Sequence, residues 1–325
     1  MYVIPMYSIA FLANSDENHQ TANETKTDTC PSTVPVLLTK PLIFTIIQVI
    51  SSSRRPIAMA LLFRAIRRKQ VDFLNTLIHT KTDFTMEDDR GKTLVMTAVT
   101  YDSPACLRLL LAAKADIEAK DEGNTALLWA AKNGKTECVQ VLVDAKADTE
   151  ARSYENKTAL RLAIENNHTA CVQVLVDAKA NINAHDDHGP VLIMAAAWGY
   201  LESVKLLINA KVNVNTATWD GNTALGLAAC YGHADIVKFL IDAEADIDYR
   251  TDRNRPPLLL AAASNHADCL QLLIDARANL DITNIVDKTA LVTAVEHDAL
   301  TCLRVLIDAK ADLHADGGFV NDHHS

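Results

Sequence analysis

Glycine is scarce in this chain, ten residues in 325, and aromatic side chains make up only 5% of it. So little glycine leaves small scope for a loop that wraps backbone amides around a nucleotide phosphate. With so few rings, the core must be built from Ala, Leu, Val and Ile, whose small side chains suit closely stacked helices. Basic residues are in deficit too: 31 Lys and Arg stand against 41 Asp and Glu, a formal charge of -10. A nucleic-acid partner is not expected, because affinity for phosphate backbone comes from a basic footprint. No Ser-His-Asp order and no paired catalytic carboxylates stand out, so no catalytic residue, cofactor or metal site is assigned. Function must be argued from a site, and the sequence offers none for chemistry, so an enzyme is not expected.

Paired cysteines are also missing. None of the seven forms a CxxC pair, and no histidine falls at metal-ligand spacing from them. Cys30 and Cys230 stand alone, whereas Cys106, Cys138, Cys171, Cys269 and Cys302 take the same place in five copies of a repeat. A reducing compartment, the cytoplasm or the nucleus, is the natural reading. The column could be a redox switch or a metal chain. Stacked helices, however, sit about 8–10 Å apart, and a disulfide needs Cα atoms about 4.4–6.8 Å apart. Small apolar side chains facing the next repeat are the better reading.

What the chain has in abundance is repetition. Thr125-Ala126-Leu127 returns at Thr158, Thr223 and Thr289, and Asp144-Ala145-Lys146-Ala147 returns at Asp177 and Asp308. Aligning on these gives eight repeats of 32 or 33 residues, starting near 55, 88, 120, 153, 185, 218, 251 and 284. The first, from Arg55, is degenerate. The array 55–316 leaves a polar tail, 317–325.

Each repeat opens with a turn, such as Asp121-Glu122-Gly123-Asn124. Thr125 follows at the place of a helix N-cap, and a short Ala- and Leu-rich helix is predicted over 126–133. Next comes one residue that tolerates positive φ: Asp102, Gly134, Asn167, Gly199, Gly232, Asn265 and Asp298 in successive repeats. A second helix is predicted over 137–145. Two helices this short cannot bury their apolar faces alone, and stacking copies supplies the missing surface.

The repeat length, the G-x-T-x-L opening, the Ala-Ala pairs (Ala130-Ala131, Ala228-Ala229, Ala261-Ala262), the A-D/N-I/V-D/N ending and Gly232-His233 resemble ankyrin repeats. The resemblance implies an all-α solenoid of about eight helix-turn-helix units with short β-turn fingers. It departs from the family in three ways. The Pro and His of the TPLH motif are replaced, as by Ala126-Leu128, Ala159-Arg161 and Ala224-Gly226, so the family's Thr–His hydrogen bond is absent. Pro190 and Pro256 stand where the capping Thr belongs. The Gly at the second helix's C-terminus becomes Lys81, Lys114, Lys146, Lys179, Lys211, Glu244, Arg277 and Lys310. If left-handed, each costs about 1–2 kcal/mol. Restriction of the unfolded chain returns roughly 0.4–1, and a cation at a helix C-terminus about 0.3–1. No function is required of this column, although an anion-binding ribbon is its alternative.

Residues 1–54 share nothing with the array. Their polar, Thr/Asn-rich part reads as a disordered leader. Residues 34–50 are apolar, but they include Lys40 and fall short of the roughly 20 residues a spanning helix needs. A membrane-tethered adaptor held by 34–50 is the alternative to a free one. Met59, at the edge of the array, suggests that the working folded unit begins there.

The resemblance also implies a function, non-catalytic protein–protein recognition through the concave face, as adaptor, scaffold or inhibitor. In ankyrin arrays turn tips and first-helix ends line that face. The tip slots implied here include Asp121, Glu122, Tyr154, Glu155, Asp186, Asp187, Trp219 and Asp220, and the first-helix slots include Tyr101, Asn133, Asn166, Trp198, Tyr231 and His297. Of these, Tyr101, Tyr154, Asp186, Asp187, Trp198, Trp219, Asp220 and Tyr231 are the expected contacts. Exposed Trp and Tyr carry much of the energy at interfaces, so Trp198, Trp219 and Tyr231 are the expected apolar anchor, rimmed by Asp186, Asp187 and Asp220. The expected partner is a protein with a basic, partly apolar surface, met by a monomer.

Overall fold

The computed structural model describes residues 55–78, 87–88, 91–183, 189–249 and 256–312. The leader 1–54, its apolar stretch 34–50, Lys81, Asp186, Asp187 and the tail 317–325 lie outside these residues. By its internal contacts the chain divides into two compact parts, one up to Asp121 and one from Glu122 onward.

Sixteen helices and no strand occur among the described residues. The first part holds α1 (Arg55–Arg67), α2 (Val71–Ile78), α3 (Leu94–Thr100) and α4 (Pro104–Ala112). The second holds α5 (Ala126–Lys132), α6 (Thr136–Asp144), α7 (Ala159–Glu165), α8 (Thr169–Asp177), α9 (Val191–Ala197) and α10 (Leu201–Asn209). It continues with α11 (Ala224–Cys230), α12 (Ala234–Asp242), α13 (Pro257–Ala263), α14 (Ala267–Asp275), α15 (Ala290–Glu296) and α16 (Leu300–Asp308). No described helix is long and apolar enough to cross a membrane. Helix α1 spans the edge of the array and includes Met59. Pro56 stands in its first turn, where a missing amide hydrogen costs nothing.

Each helix pair is built by local rules. Thr125 accepts from Leu128 N at 3.4 Å, Thr158 from Arg161 N at 3.3 Å, Thr223 from Gly226 N at 3.0 Å and Thr289 from Val292 N at 3.4 Å. Pro190 and Pro256 cap α9 and α13 without a side-chain bond. The predicted turn residues all have positive φ, from +51° at Asp102 to +77° at Gly199 and Gly232. The basic column is left-handed as well: Lys114, Lys146, Lys179, Lys211, Glu244, Arg277 and Lys310 lie between +61° and +68°. There Lys146 N donates to Val143 O and Ala147 N to Leu142 O, each at 3.0 Å, a Schellman ending that buries Ala147. The A-K-A signature is that geometry written in sequence.

In the second part α5, α7, α9, α11, α13 and α15 pack successively in one row, and α6, α8, α10, α12, α14 and α16 in another. Three devices join neighbouring repeats. The repeat endings form a ladder: Glu150 accepts from Asn181 N at 2.9 Å, Asn215 from Asp246 N at 2.8 Å and Asp248 from Asn279 N at 3.1 Å. Histidine rings dock on the preceding repeat's turn glycine. A Cβ on Gly134, Gly199 or Gly232 would lie 2.6, 2.7 or 2.5 Å from the ring of His168, His233 or His266. His168 Nε2 also lies 3.1 Å from Lys132 O, and His233 Nε2 3.0 Å from Ala197 O. Where the turn residue is Asn265, its Oδ1 accepts instead from Thr301 Oγ1 and Cys302 N in the next repeat.

The cysteine column is the third device. Cys106, Cys138, Cys171, Cys269 and Cys302 are buried free thiols. Cys171 Sγ lies 3.4 Å from Thr136 Oγ1 of the preceding repeat, and Cys302 Sγ donates to Ala261 O at 3.7 Å. Burial pushes the Cys269 thiol up to about 11, with the Asp268 carboxylate and Cys302 adding to it, and burial alone takes Cys302 to about 11. Such thiols stay protonated at neutral pH and pack as small apolar groups. Ser203 holds the same place in α10, fully buried with an unpartnered hydroxyl.

Candidate interaction groove

The first helix of each described repeat from α3 on ends in a C-cap residue whose backbone N–H bonds back to the last turn. In α7, α9 and α11 these C-caps are Asn166, Trp198 and Tyr231. Between the fingers and these helix ends lies an open groove of about 760 Å³. Trp198, Trp219 and Asp220 line it together with Glu155, Lys157, Arg161 and Glu165, and Ile193, Met194 and Leu227 add apolar floor.

Both indoles are accessible: Trp219, at a finger tip, is 79% exposed and Trp198 46%. Trp198 is steadied by an edge-to-face contact with Tyr200, ring centroids 5.8 Å apart at 62°. Tyr200 occupies the place of the docking histidines, but the preceding turn residue is Asn167 rather than glycine. Asp220 accepts from Thr218 Oγ1 and from Asn222 Nδ2 at 2.8 Å, so the finger fixes its carboxylate.

The floor carries a charge network. Arg161 is 4% exposed. Its Nε donates to Glu165 at 3.0 Å, and a terminal nitrogen donates to Gly189 O at 3.1 Å. Glu165 also pairs with Lys157 at 3.0 Å, and Lys157 reaches Glu155 at 2.6 Å. Burial pulls the Lys157 ammonium down, but the hydrogen bonds and charges of Glu155 and Glu165 outweigh it and hold it above the usual lysine range. A buried guanidinium needs such partners, since an unpaired charge there is strongly disfavoured. Arg161 stands at the position where the motif's histidine is replaced.

Of the residues singled out from sequence, Trp198, Trp219 and Asp220 share this groove. Tyr231 is exposed in the next repeat at the position equivalent to Trp198 but does not line it. Tyr154 is exposed at a finger tip, its backbone packed on Gly123 of the preceding finger turn. Tyr101 belongs to the first part of the chain, where Arg67 lies 6.0 Å from its ring centroid. Asp186 and Asp187 lie outside the described residues. Glu155, an expected finger slot, also lines the groove, whereas Arg161, Lys157 and Glu165 were not among the expected residues. Only Arg161 and Glu165 lie on α7, and Lys157 precedes its N-cap, so no helical period marked the network as a whole. No group of three or more His, Cys, Asp and Glu among the described residues is placed to hold a metal ion.

A family model of ankyrin repeats, three copies long, matches residues 62–153, 114–186, 145–217, 185–251 and 245–316. Among solved structures, the chain is similar to the ankyrin repeat domain of Bcl-3, described as a unique member of the IkappaB protein family. That match has 28% identity and a TM-score of 0.60, and covers 66% of this chain and 97% of the other. Comparison with curated proteins finds no match.

Proposed function

Because the chain belongs to the ankyrin repeat family, we propose that it is a non-catalytic protein-interaction module, an adaptor, scaffold or inhibitor. Its partner is gripped by the groove around Trp198 and Trp219. One observation carries this reading: two exposed indoles line a single groove whose charged floor is already internally paired. Large rigid rings bury much area at low entropic cost, which is why they dominate interface energetics. The paired floor asks for no counter-charge. Around the groove Glu155, Glu165 and Asp220 balance Lys132, Lys157 and Arg161, so the preference for a basic partner rests on the acidic chain as a whole. The partner is therefore a protein surface that is partly apolar and basic, and association is faster at low salt. Tyr231, at the next first-helix end, and Tyr154, on a neighbouring finger, extend the contact. The buried, protonated thiols favour a reducing compartment, the cytoplasm or the nucleus.

The test is mutational. A partner recovered by cross-linking in cells is titrated against purified wild type, Trp198→Ala, Trp219→Ala and Tyr231→Ala, with folding checked by circular dichroism. Each tryptophan variant should lose on the order of 2 kcal/mol, about thirtyfold in Kd. Unchanged affinity for both tryptophan variants, with the fold intact, places the binding face elsewhere.

A further inference from the structure

We propose that the indole end of the groove is a subsite for an arginine side chain of the partner. Its guanidinium lies against the indole rings and forks onto the Asp220 carboxylate. This rests on the groove being the protein-binding face. Charge is balanced over the groove as a whole but not along it. Lys157 and Arg161 are taken up by Glu155 and Glu165 in the fourth repeat. Lys132 and Asp220 stand at opposite ends: Lys132 closes α5 in the third repeat, and Asp220 sits on the finger of the sixth. At about 8–10 Å per stacked helix, roughly 25 Å separates them, several times the screening length of about 8 Å at physiological salt. The acidic end therefore feels little of that lysine.

Asp220 is prepared for such a ligand. The hydrogen bonds it accepts come from neutral groups, Thr218 Oγ1 on one oxygen and Asn222 Nδ2 on the other. They hold the carboxylate in place without discharging it, and each oxygen keeps an open acceptor position. Among the described residues no Lys, Arg or His pairs with it. Two such oxygens side by side match the fork of a guanidinium. Trp219 precedes Asp220 on the same finger and is 79% exposed, and Trp198 closes the first helix of the preceding repeat. An indole face attracts a cation within about 6 Å of its centre. A guanidinium is flat and weakly hydrated, so it stacks and pairs at once, whereas a lysine ammonium is a compact, strongly hydrated point charge. A purely apolar side chain would cover the rings but leave the carboxylate desolvated and uncompensated.

Indole N–H resonances of the isotope-labelled full chain test this. The probe is acetyl-Leu-Arg-Leu-amide, beside the same peptide carrying citrulline, the neutral isostere of arginine, or lysine. Saturable shifts at Trp198 and Trp219 are expected with the arginine peptide, while Trp129, which does not line the groove, serves as the still reference. The citrulline peptide should bind at least about tenfold more weakly, since it forfeits both the ion pair and the cation–π attraction. In Asp220→Asn that preference should vanish. The comparison of peptides on wild type stands even if this variant folds poorly. Equal binding of the arginine and citrulline peptides to wild type overturns the proposal and leaves the groove as an apolar site. A preference that survives Asp220→Asn in a folded variant overturns it as well, and so does a lysine peptide that binds as tightly as the arginine one. No shift of either indole up to about 50 mM peptide, well beyond the millimolar scale of weak specific binding, also overturns it. The groove as a binding face is judged separately, by the recovered partner and the tryptophan variants.

Discussion

Gly134, Gly199 and Gly232 do two things at once. They supply the left-handed turn between paired helices, and they leave the space that the next repeat's histidine ring fills. Gly199→Ala should therefore cost more than backbone strain of about 1–2 kcal/mol, because the new methyl group lands 2.7 Å from the His233 ring. We expect a loss of about 3 kcal/mol by urea denaturation, with about 1 kcal/mol recovered in coupling when His233→Ala is added, since the two sites are in contact. Strictly additive losses would show that the ring does not depend on the glycine. At this scale the sequence was legible wherever a residue answers to its own backbone, as at Thr125 and Asn167. It was opaque at Arg161, which shows as a departure from a motif and acquires meaning only when Glu165 and the Gly189 carbonyl close around it. One clue was the recurrence of Lys157 and Glu165 as Lys288 and Glu296, at the same two positions of a second repeat.

The second helix of every described repeat from α4 to α16 ends in a left-handed residue that is not glycine. Replacing Lys146 by Gly relieves strain of about 1–2 kcal/mol. It also frees the unfolded chain by roughly 0.4–1 and removes a cation from a helix C-terminus, worth about 0.3–1. These nearly cancel, so stability by chemical denaturation should move by less than about 1.5 kcal/mol. A much larger loss would reveal a specific contact of the lysine. Helix existence and order followed from the repeat, and most boundaries fell within a residue or two, as for α6 at Thr136–Asp144 against the predicted 137–145. The exposure of Val295 on α15 and Leu300 on α16 did not follow. The sequence of the last repeat obeys the same pattern as its neighbours, and exposure there reflects the lack of a described helix beyond α16, which no local pattern records.

Across the molecule the buried thiols make stability depend on alkaline pH. Cys269 and Cys302 keep their protons in the folded chain up to about 11, against an ordinary value of 9.0. Below pH 9 both states are protonated and nothing changes. Between 9 and 11 the folded chain binds more protons than the unfolded one, so stability falls as pH rises, by up to about 1.4 kcal/mol per pH unit for each thiol. Urea midpoints between pH 8 and 11 should decline less steeply in Cys269→Ala/Cys302→Ala than in wild type. Parallel declines would assign the alkaline loss to other groups. The fold at this scale was legible because eight repeats report the same pattern. The groove was legible only in part, since Trp198, Trp219 and Asp220 stood out as unusual for their slots while the network beneath them did not.

The docking of histidine on glycine also governs which repeats can follow which. His168, His233 and His266 each succeed a glycine, whereas Tyr200 follows Asn167 and Ala299 follows Asn265. The array is thus a lineage of matched neighbours, in which recombination may not shuffle copies freely. Excising residues 218–250 would bring Gly199 against His266, a permitted succession. Excising 185–217 would bring Asn167 against His233, placing a Cβ where the ring must lie. Both deletions remove one period and leave the same number of repeats. Thermal denaturation should nevertheless rank the first above the second, and the opposite order would mean that succession in this array is set elsewhere. The order of stacking is thus tied to pairs of residues one period apart.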